Sequence, residues 1–349
     1  MRKFSQIMQI AFTYMGTIVG AGFASGQEIL QFFTQHGRIA ALTIVLATVL
    51  FIWIGCKVML LSNQLGGQSY EDLNKVLFGP QVGKWISLFM MFVLLGTSTV
   101  MLAGAGSLFS EQLFLSYQTG LLVTMVLTYW ILSRGIHAIL KVNAFIVPLM
   151  LVFTAIIVWS TWQMPNSGSW INLTTDSSLP RIWFAPILYV AFNLASAQAV
   201  LIPLGSTIKD RSILYWGGLV GGIGIGLMLL AAHYALSAQM PGIRQFEIPM
   251  GHIIERLGTT IQLMFVLIIF GEILSTFLVD VYGLTLQLQQ KIRLPQKAII
   301  VIILFVSYAI SHIGFSVLLS TLYPLFGFIS LIWFAMMIFR RESRTLENL

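Results

Sequence analysis

The residues of this chain best suited to chemistry lie in an apolar stretch, at 7–33, that glycines interrupt. The interruption at 17–28 reads TIVGAGFASGQE; it contains Gly20, Gly22 and Gly26 and ends in a glutamine and a glutamate. Within a bilayer an unpaired backbone N–H or C=O is costly, so a broken helix persists only inside protein or beside a wet cavity. A glycine-rich break with polar neighbours therefore predicts a binding site. Glycines that only let helices pack closely are the alternative.

The composition indicates that this break lies in a membrane protein of many spans. The chain is 57% hydrophobic and 9% charged, whereas soluble domains have about 25% charged residues. Its mean hydropathy is +0.88. The basic N-terminus is followed by no signal-peptide cleavage site, so the first apolar run is expected to be retained. Ten apolar runs are predicted to cross the hydrocarbon layer, at 5–33, 38–62, 84–112, 119–134, 139–162, 181–205, 213–238, 257–290, 297–312 and 317–340.

The distribution of positive charge predicts the orientation. Fifteen of the nineteen Lys and Arg residues fall on one side of the predicted spans. Because these residues concentrate on the cytoplasmic side, both termini are predicted to be cytoplasmic, in the cytoplasmic membrane of a bacterium. The net charge of +7 is explained by these cytoplasmic Lys and Arg residues, so it does not predict binding to nucleic acid. The expected partners are membrane lipids and a small-molecule substrate. The single cysteine, Cys56, excludes an intrachain disulfide, and the sequence carries no prediction of oligomeric state.

The two halves of the chain resemble each other in the order of their motifs. Residues 23–27 read FASGQ and residues 194–198 read LASAQ, while Pro148 in the first half matches Pro324 in the second. Since each half holds five spans, an odd number, the second half enters the membrane from the opposite side, as an inverted repeat. The predicted domains are a first five-helix repeat at 1–162, an extracellular loop at 163–180, a second five-helix repeat at 181–340 and a cytoplasmic tail at 341–349.

The repeat places a second break in the sixth span, at 191–198. Free N–H groups at one end of a half-helix suit a carboxylate, and free carbonyls at the other end suit Na⁺ or an ammonium group. Two opposed breaks therefore predict a site for an amino acid zwitterion between them. The predicted substrate-binding residues are Gly20, Ala21, Gly22, Ser25, Gln27, Thr99, Phe192, Asn193 and Ser196.

Five-plus-five inverted repeats with broken first and sixth helices resemble the LeuT-type fold of the amino acid–polyamine–organocation superfamily. The string GAGFASGQE at 20–28 is similar to that of the YkvI-type bacterial membrane proteins, which are regarded as amino acid permeases. The resemblance implies alternating access, in which a bundle of spans 1, 2, 6 and 7 rocks against a scaffold of the other spans. A short helix near Ser69–Phe78 and an outer segment near Pro241–Arg256 are then the expected couplers or lids.

The same resemblance implies a sodium site. In sodium-coupled members of this fold, neighbouring hydroxyls on the eighth helix join carbonyls of the first helix to hold Na⁺. By that match Ser275 and Thr276 supply the hydroxyls, while Gly16 and Val19 supply carbonyl oxygens. Glu272, one turn earlier, lies beside the same site. Oxygen ligands are what a hard cation prefers.

Proton coupling is the alternative to sodium. Glu28, Glu272 and Asp280 lie in or near predicted spans, and a carboxylic acid at membrane depth is a functional candidate by default. A lysine that stands in for Na⁺ in some superfamily members has no midspan counterpart here, because Lys141 lies at the cytoplasmic end of the fifth span.

Motifs of other classes are missing from the sequence. It contains no Walker loop, HExxH helix or nucleophile elbow. Neither an enzyme nor a cofactor is therefore expected, apart from the coupling Na⁺ or H⁺. Two further alternatives stay open at this point: a non-transporting amino acid sensor, similar to the membrane subunits of germination receptors, and a passive channel.

Overall fold

A computed structural model describes residues 2–65, 74–75, 78–133, 137–289 and 292–339 of the chain, and of residues 2, 65, 137–146 and 199 it describes the backbone alone. The predicted coupling helix near Ser69–Phe78 lies mostly outside the described residues. The predicted tail at 341–349 lies wholly outside them.

Every regular element within the described ranges is a helix, in agreement with the predicted all-α class. Short 3-10 helices occur at Thr34–Ile39 and Gly242–Gln245. The α-helices, in chain order, are α1 (Arg2–Ile18), α2 (Ala21–Ser25), α3 (Gln27–Phe32), α4 (Ala40–Leu65), α5 (Pro80–Gln112), α6 (Tyr117–Leu132), α7 (His137–Trp162), α8 (Ser169–Asn172), α9 (Leu179–Thr207), α10 (Arg211–Ser237), α11 (Pro249–Glu255), α12 (Thr259–Gln289), α13 (Gln296–Ser311) and α14 (Phe315–Phe339).

Several of these helices are long and apolar enough to cross a membrane. Five of the described helices meet this description, namely α4, α5, α10, α12 and α14, and α9 makes six if its two bent parts form one span. The 27 residues of α10, at about 1.5 Å per residue, are about 40 Å long, more than the hydrocarbon layer requires. Shorter apolar helices coincide with the predicted fourth, fifth and ninth spans. The chain is therefore a multi-pass α-helical membrane protein.

The outward faces of the helices are apolar. Phe92, Leu267 and Ile332 lie within long helices and are exposed by 66%, 70% and 64%. Exposed apolar surface on this scale does not suit water, but it matches lipid acyl chains. Hydroxyl side chains such as Ser98 and Thr285 are buried instead, so polarity is concentrated inside the bundle.

Two groups of helices pack closely among themselves. In the first group α4 packs against α9 and α10, and α1 packs against α10. In the second group α5 and α12 pack against each other and against α13. Glycine permits the closest approach in the first group, because a Cβ at Gly221 of α10 would lie 2.8 Å from the Tyr14 ring of α1. Helix α14 packs against α9 of the first group and against α5 of the second, and so joins the two groups.

The starts of α1 and α10 lie together on one face of the protein. Lys3 Nζ lies 3.0 Å from Asp210 Oδ2, and Asp210 also caps α10 by accepting a hydrogen bond from the Ser212 N–H at 3.0 Å. The hydrogen bond from Lys3 lowers the pKa of the Asp210 carboxyl. An exposed pair of this kind adds little stability, but it shows that these two helices enter the bundle from the same side, as the predicted orientation requires.

The predicted outer segment at 241–256 is an ordered structure between α10 and α12. It contains the second 3-10 helix and α11. Both carboxylate oxygens of Glu111, at the end of α5, accept backbone N–H groups of this segment, from Glu247 and Ile248, at 2.9 Å each. The Ser107 hydroxyl donates to the Glu247 carboxylate. The segment is thus fastened to α5 just before α11 begins.

Candidate functional site

The first span is interrupted at Val19 and Gly20, as predicted. The Val19 N–H still donates to the Met15 carbonyl at 2.7 Å, as in a regular helix. The Gly20 N–H instead donates to the Ile18 carbonyl, at 3.1 Å. The Gly16 carbonyl therefore loses the donor that a continuous helix would give it. Gly20 has extended backbone angles, φ −97° and ψ −170°, and α2 starts after it. Carbonyls at the end of α1 and N–H groups at the start of α2 are thus free for other partners.

A second interruption follows α2 after five residues. Gly26 has φ +85°, in the left-handed region that glycine adopts without strain, and it separates α2 from α3. The Ser25 hydroxyl donates to the Gly22 carbonyl at 3.0 Å and accepts the Gln27 N–H at 3.3 Å. The first span therefore has two breaks where the sequence predicted one, and the second break turns α3 and its Glu28 relative to α2.

The sixth span bends instead of unwinding, which corrects the predicted break at 191–198. Helix α9 is continuous from Leu179 to Thr207, and its parts before and after Ala199 meet at 57°. Most of its backbone groups are thus used within the helix, so free backbone groups at Asn193 or Ser196 are not available for a ligand. The side chains of Asn193 and Ser196 line a cavity beside α9 instead.

A cavity of about 100 Å³ lies between the broken first span and the bent sixth span. Helices α5, α12 and α14 complete its wall. The cavity is lined by Gly16, Thr17, Ile18, Gly20, Glu28, Leu94, Thr97, Met101, Phe192, Asn193, Ser196, Val200, Thr276, Val279, Asp280 and Tyr323.

Glu28 brings one carboxyl group to this cavity from α3. The residue is 3% exposed, and its side chain lies against Gly22, where an added Cβ would be 2.7 Å from Glu28 Cγ. Among the described residues, Glu28 Oε2 has no hydrogen-bond partner. The hydroxyls of Tyr189 and Tyr323 face the same carboxyl group. Gly22 therefore makes room for Glu28 as well as breaking the helix.

Asp280 brings a second carboxyl group, from α12. It is 8% exposed, and its Oδ2 has no hydrogen-bond partner among the described residues. The Thr97 side chain faces it from α5, although the Thr97 hydroxyl donates to the Val93 carbonyl at 3.0 Å. Tyr323 of α14 interacts with both Asp280 and Glu28. Two buried acids and one tyrosine thus share the cavity.

The α9 side of the cavity combines an amide, a hydroxyl and an aromatic ring. The Asn193 amide donates to the Tyr189 carbonyl one turn earlier, at 2.9 Å, and its oxygen remains able to accept. Ser196 Oγ has no hydrogen-bond partner among the described residues. The Phe192 ring packs on Tyr323, with 4.4 Å between centroids.

The predicted sodium ligands are only partly brought together. Gly16 and Thr276 both line the cavity, and a Cβ at Gly20 would lie 3.7 Å from Thr276 Oγ1. Val19 is buried but outside the lining. The Ser275 hydroxyl donates to the Glu272 carbonyl at 3.1 Å and is also outside the lining.

Several other predicted residues lie away from the cavity. Gln27 donates from Nε2 to the Ser316 hydroxyl at 2.7 Å, and Thr99 donates to the Leu95 carbonyl at 2.8 Å. Ala21 and Glu272 are buried outside the lining. These residues contribute to the packing of the break and of the scaffold helices, and not to the cavity wall.

The cavity also contains residues that the sequence did not single out. Tyr323, Met101 and Thr97 line it. One signal could have found Tyr323: it directly precedes Pro324, a position that the repeat had already matched to Pro148.

Fold and cavity together define the class, a multi-pass helical membrane protein with a buried acidic cavity at a broken helix. The chain is 36% identical over 342 residues to the uncharacterized membrane protein YkvI of Bacillus subtilis (strain 168), and the alignment covers 96% of each chain. It is 28% identical over 318 residues to the uncharacterized protein YyaD of the same organism, with 91% of each chain covered. No protein-family model matches the chain. The chain therefore belongs to the family of the membrane protein YkvI.

Proposed function

We propose that this protein is a secondary active transporter that moves a small amino acid or related amine across the membrane by ion symport. The observation that carries the proposal is the cavity shared by the broken first span and the bent sixth span. A polar cavity beside a broken helix is how transporters accommodate unpaired backbone groups at membrane depth. At about 100 Å³ it has room for a small solute.

The proposal includes a ten-span, LeuT-type architecture with an inverted repeat. The packing of α1 with α10 and of α4 with α9 and α10 supports a bundle made of spans 1, 2, 6 and 7. The packing of α5 with α12 and α13 supports a scaffold. In this proposal the repeats are the predicted units at 1–162 and 181–340.

The solute is held by both backbone and side chains. The N–H groups at the start of α2 carry partial positive charge and suit a carboxylate. Asn193 and Ser196 offer neutral polar groups from α9, and Glu28 offers a counter-charge to an ammonium group. Phe192 and Tyr323 cover the apolar part of the solute.

The coupling ion enters the same cavity. Gly16, whose carbonyl has lost its helical donor, and the Thr276 hydroxyl fit part of the oxygen set that Na⁺ prefers. Because Ser275 is bonded to its own helix, this set is smaller than the resemblance implies. Glu28 and Asp280 are the groups through which H⁺ would couple instead.

Alternating access follows from the two-group packing. The bundle rocks against the scaffold, and the outer segment fastened by Glu111, whose α11 packs against α2, acts as a lid. The contact between α9 and α14 lies between the two groups and changes during the cycle.

The test is uptake into proteoliposomes that contain the purified full-length protein. A panel of labelled amino acids and amines is offered under an inward Na⁺ gradient, with choline replacing Na⁺, and under an inward H⁺ gradient. The proposal predicts accumulation of at least one solute above its external concentration, driven by one of the gradients. Saturable binding without flux would identify a sensor, and equilibration without accumulation would identify a channel; either result contradicts the proposal.

A further inference from the structure

We propose that the cavity selects a solute with a net positive charge, with Glu28 and Asp280 as its two counter-charges. The inference rests on the proposed transport function and names its substrate class. It starts from the juxtaposition of two buried carboxyl groups, from α3 and α12, on one cavity of about 100 Å³.

Neither carboxyl group has its hydrogen-bonding capacity filled by the described part of the protein. Glu28 Oε2 and Asp280 Oδ2 are both buried and without a hydrogen-bond partner there. The residues are 3% and 8% exposed, so water does not solvate them freely. A buried acceptor in this position calls for a donor from outside the chain.

Apart from the partial positive charge of the N–H groups at the start of α2, the wall of the cavity offers no positive charge in return. Its described lining residues include no Lys, Arg or His. The polar groups beside the acids are neutral, among them Tyr323, which interacts with both carboxyl groups, and Thr97 next to Asp280.

Charge balance therefore distinguishes the solutes. A zwitterion would bring its own carboxylate beside two buried acids, and a like charge in a poorly solvated site is unfavourable whenever either acid is ionised. A solute with one or two surplus ammonium groups would pair with the carboxylates through charge-assisted hydrogen bonds. Tyr323, between the acids, can accept from or donate to the same solute.

Binding to the purified full-length protein in detergent tests the inference, with calorimetry at pH 7 and constant ionic strength. The probes are putrescine, L-lysine, L-alanine and L-glutamate, whose net charges fall in that order. We expect the two cations to bind about tenfold or more tightly than L-alanine, and L-glutamate to bind most weakly. Tighter or equal binding of L-alanine, or no binding of either cation, would overturn the inference.

Two variants assign the preference to the acids. Glu28→Gln and Asp280→Asn each remove one carboxylate with little change in shape, and each should weaken putrescine binding about thirtyfold or more, a larger loss than for L-alanine. The matched control is Glu255→Gln, at an exposed acid outside the cavity. Unchanged putrescine binding in both folded variants would also overturn the inference. If a variant does not fold, the order of the four probes' affinities for the wild-type protein still tests it.

Failure of the two proposals can be told apart. Accumulation of L-alanine with no affinity for the cations keeps the transport function and removes the charge selection. Tight binding of putrescine that is never carried into proteoliposomes keeps the charge selection and removes the transport function.

Discussion

At the scale of single residues, the cavity depends on the way Glu28 lies against the backbone of Gly22. The sequence already pointed to Glu28, Asp280, Asn193 and Ser196, because polar side chains in apolar spans are rare and are retained for a reason. All four line the cavity. Tyr323 was missed because a tyrosine in a membrane helix is common, and only the packing of α14 reveals that it faces both acids.

Gly22→Ala provides a test at this scale. The added Cβ would lie 2.7 Å from Glu28 Cγ, so the carboxyl group must move. We expect the initial rate of solute uptake to fall about tenfold or more, with a loss of about 1–3 kcal/mol in the free energy of unfolding from overpacking. Uptake in proteoliposomes, normalised to folded protein, is the measurement.

The control for this substitution is Gly168→Ala, in the loop before α8, where an added Cβ would meet no other atom within 4 Å. Uptake by this variant should stay within a few-fold of the wild type. Equal activities of the two variants would show that Gly22 does not position Glu28.

At the scale of elements, the two interrupted spans behave differently for a local reason. Gly20 and Gly26 break the first span because glycine tolerates extended and left-handed angles and offers no side chain to pack. The corresponding LASAQ string has alanine, at Ala197, where Gly26 stands in FASGQ, and α9 remains helical there and bends at Ala199. The match between the strings predicted a break at 191–198, but it could not reveal that α9 stays helical over these residues and bends after them.

The outer segment offers a prediction about an element. Removing the Glu111 carboxylate by Glu111→Ala leaves the N–H groups of Glu247 and Ile248 without their acceptors. Hydrogen bonds to a charged group contribute about 1.5–3 kcal/mol, so amide exchange across residues 242–255 should accelerate by about tenfold or more. Hydrogen–deuterium exchange of the full-length protein in detergent measures it.

Ser110→Ala is the control for this experiment, since the Ser110 hydroxyl donates within its own helix, to the Ser107 carbonyl at 3.1 Å. It should leave exchange in the outer segment unchanged. If Glu111→Ala also leaves that exchange unchanged, the segment is held by contacts other than this carboxylate.

At the scale of the whole molecule, hydropathy was sufficient to predict the class and the approximate positions of the five long apolar helices. The long helices α4, α5, α10, α12 and α14 lie where apolar runs were predicted, because length and apolarity alone decide which segments suit the bilayer. The site was predicted less completely. Ser275, Gln27 and Thr99 were chosen by spacing or resemblance, but their hydroxyl or amide N–H groups donate hydrogen bonds within the protein. The direction in which a helical side chain points depends on how its helix packs against its neighbours, and a linear sequence pattern does not contain that information.

The predicted orientation can be tested on whole cells. In a Cys56→Ser background, Asn166→Cys should react with a membrane-impermeant maleimide in intact cells, because it lies in the loop predicted to be extracellular. Lys209→Cys, beside the Lys3–Asp210 pair, should react only after the membrane is permeabilised. The reverse labelling pattern would show that the positive charges have been assigned to the wrong side.

The central claim is that solute passes through the cavity between the first and sixth spans, and blocking that cavity tests it most directly. Ser196→Cys, in the Cys56→Ser background, replaces a hydroxyl that has no hydrogen-bond partner among the described residues, so uptake should survive the substitution. A methanethiosulfonate reagent attached at this position should fill a cavity of about 100 Å³ and abolish uptake, and saturating solute should slow the labelling. Thr207→Cys, exposed at the end of the same helix, should be labelled without loss of uptake. Full uptake after complete labelling of Ser196→Cys would contradict the account.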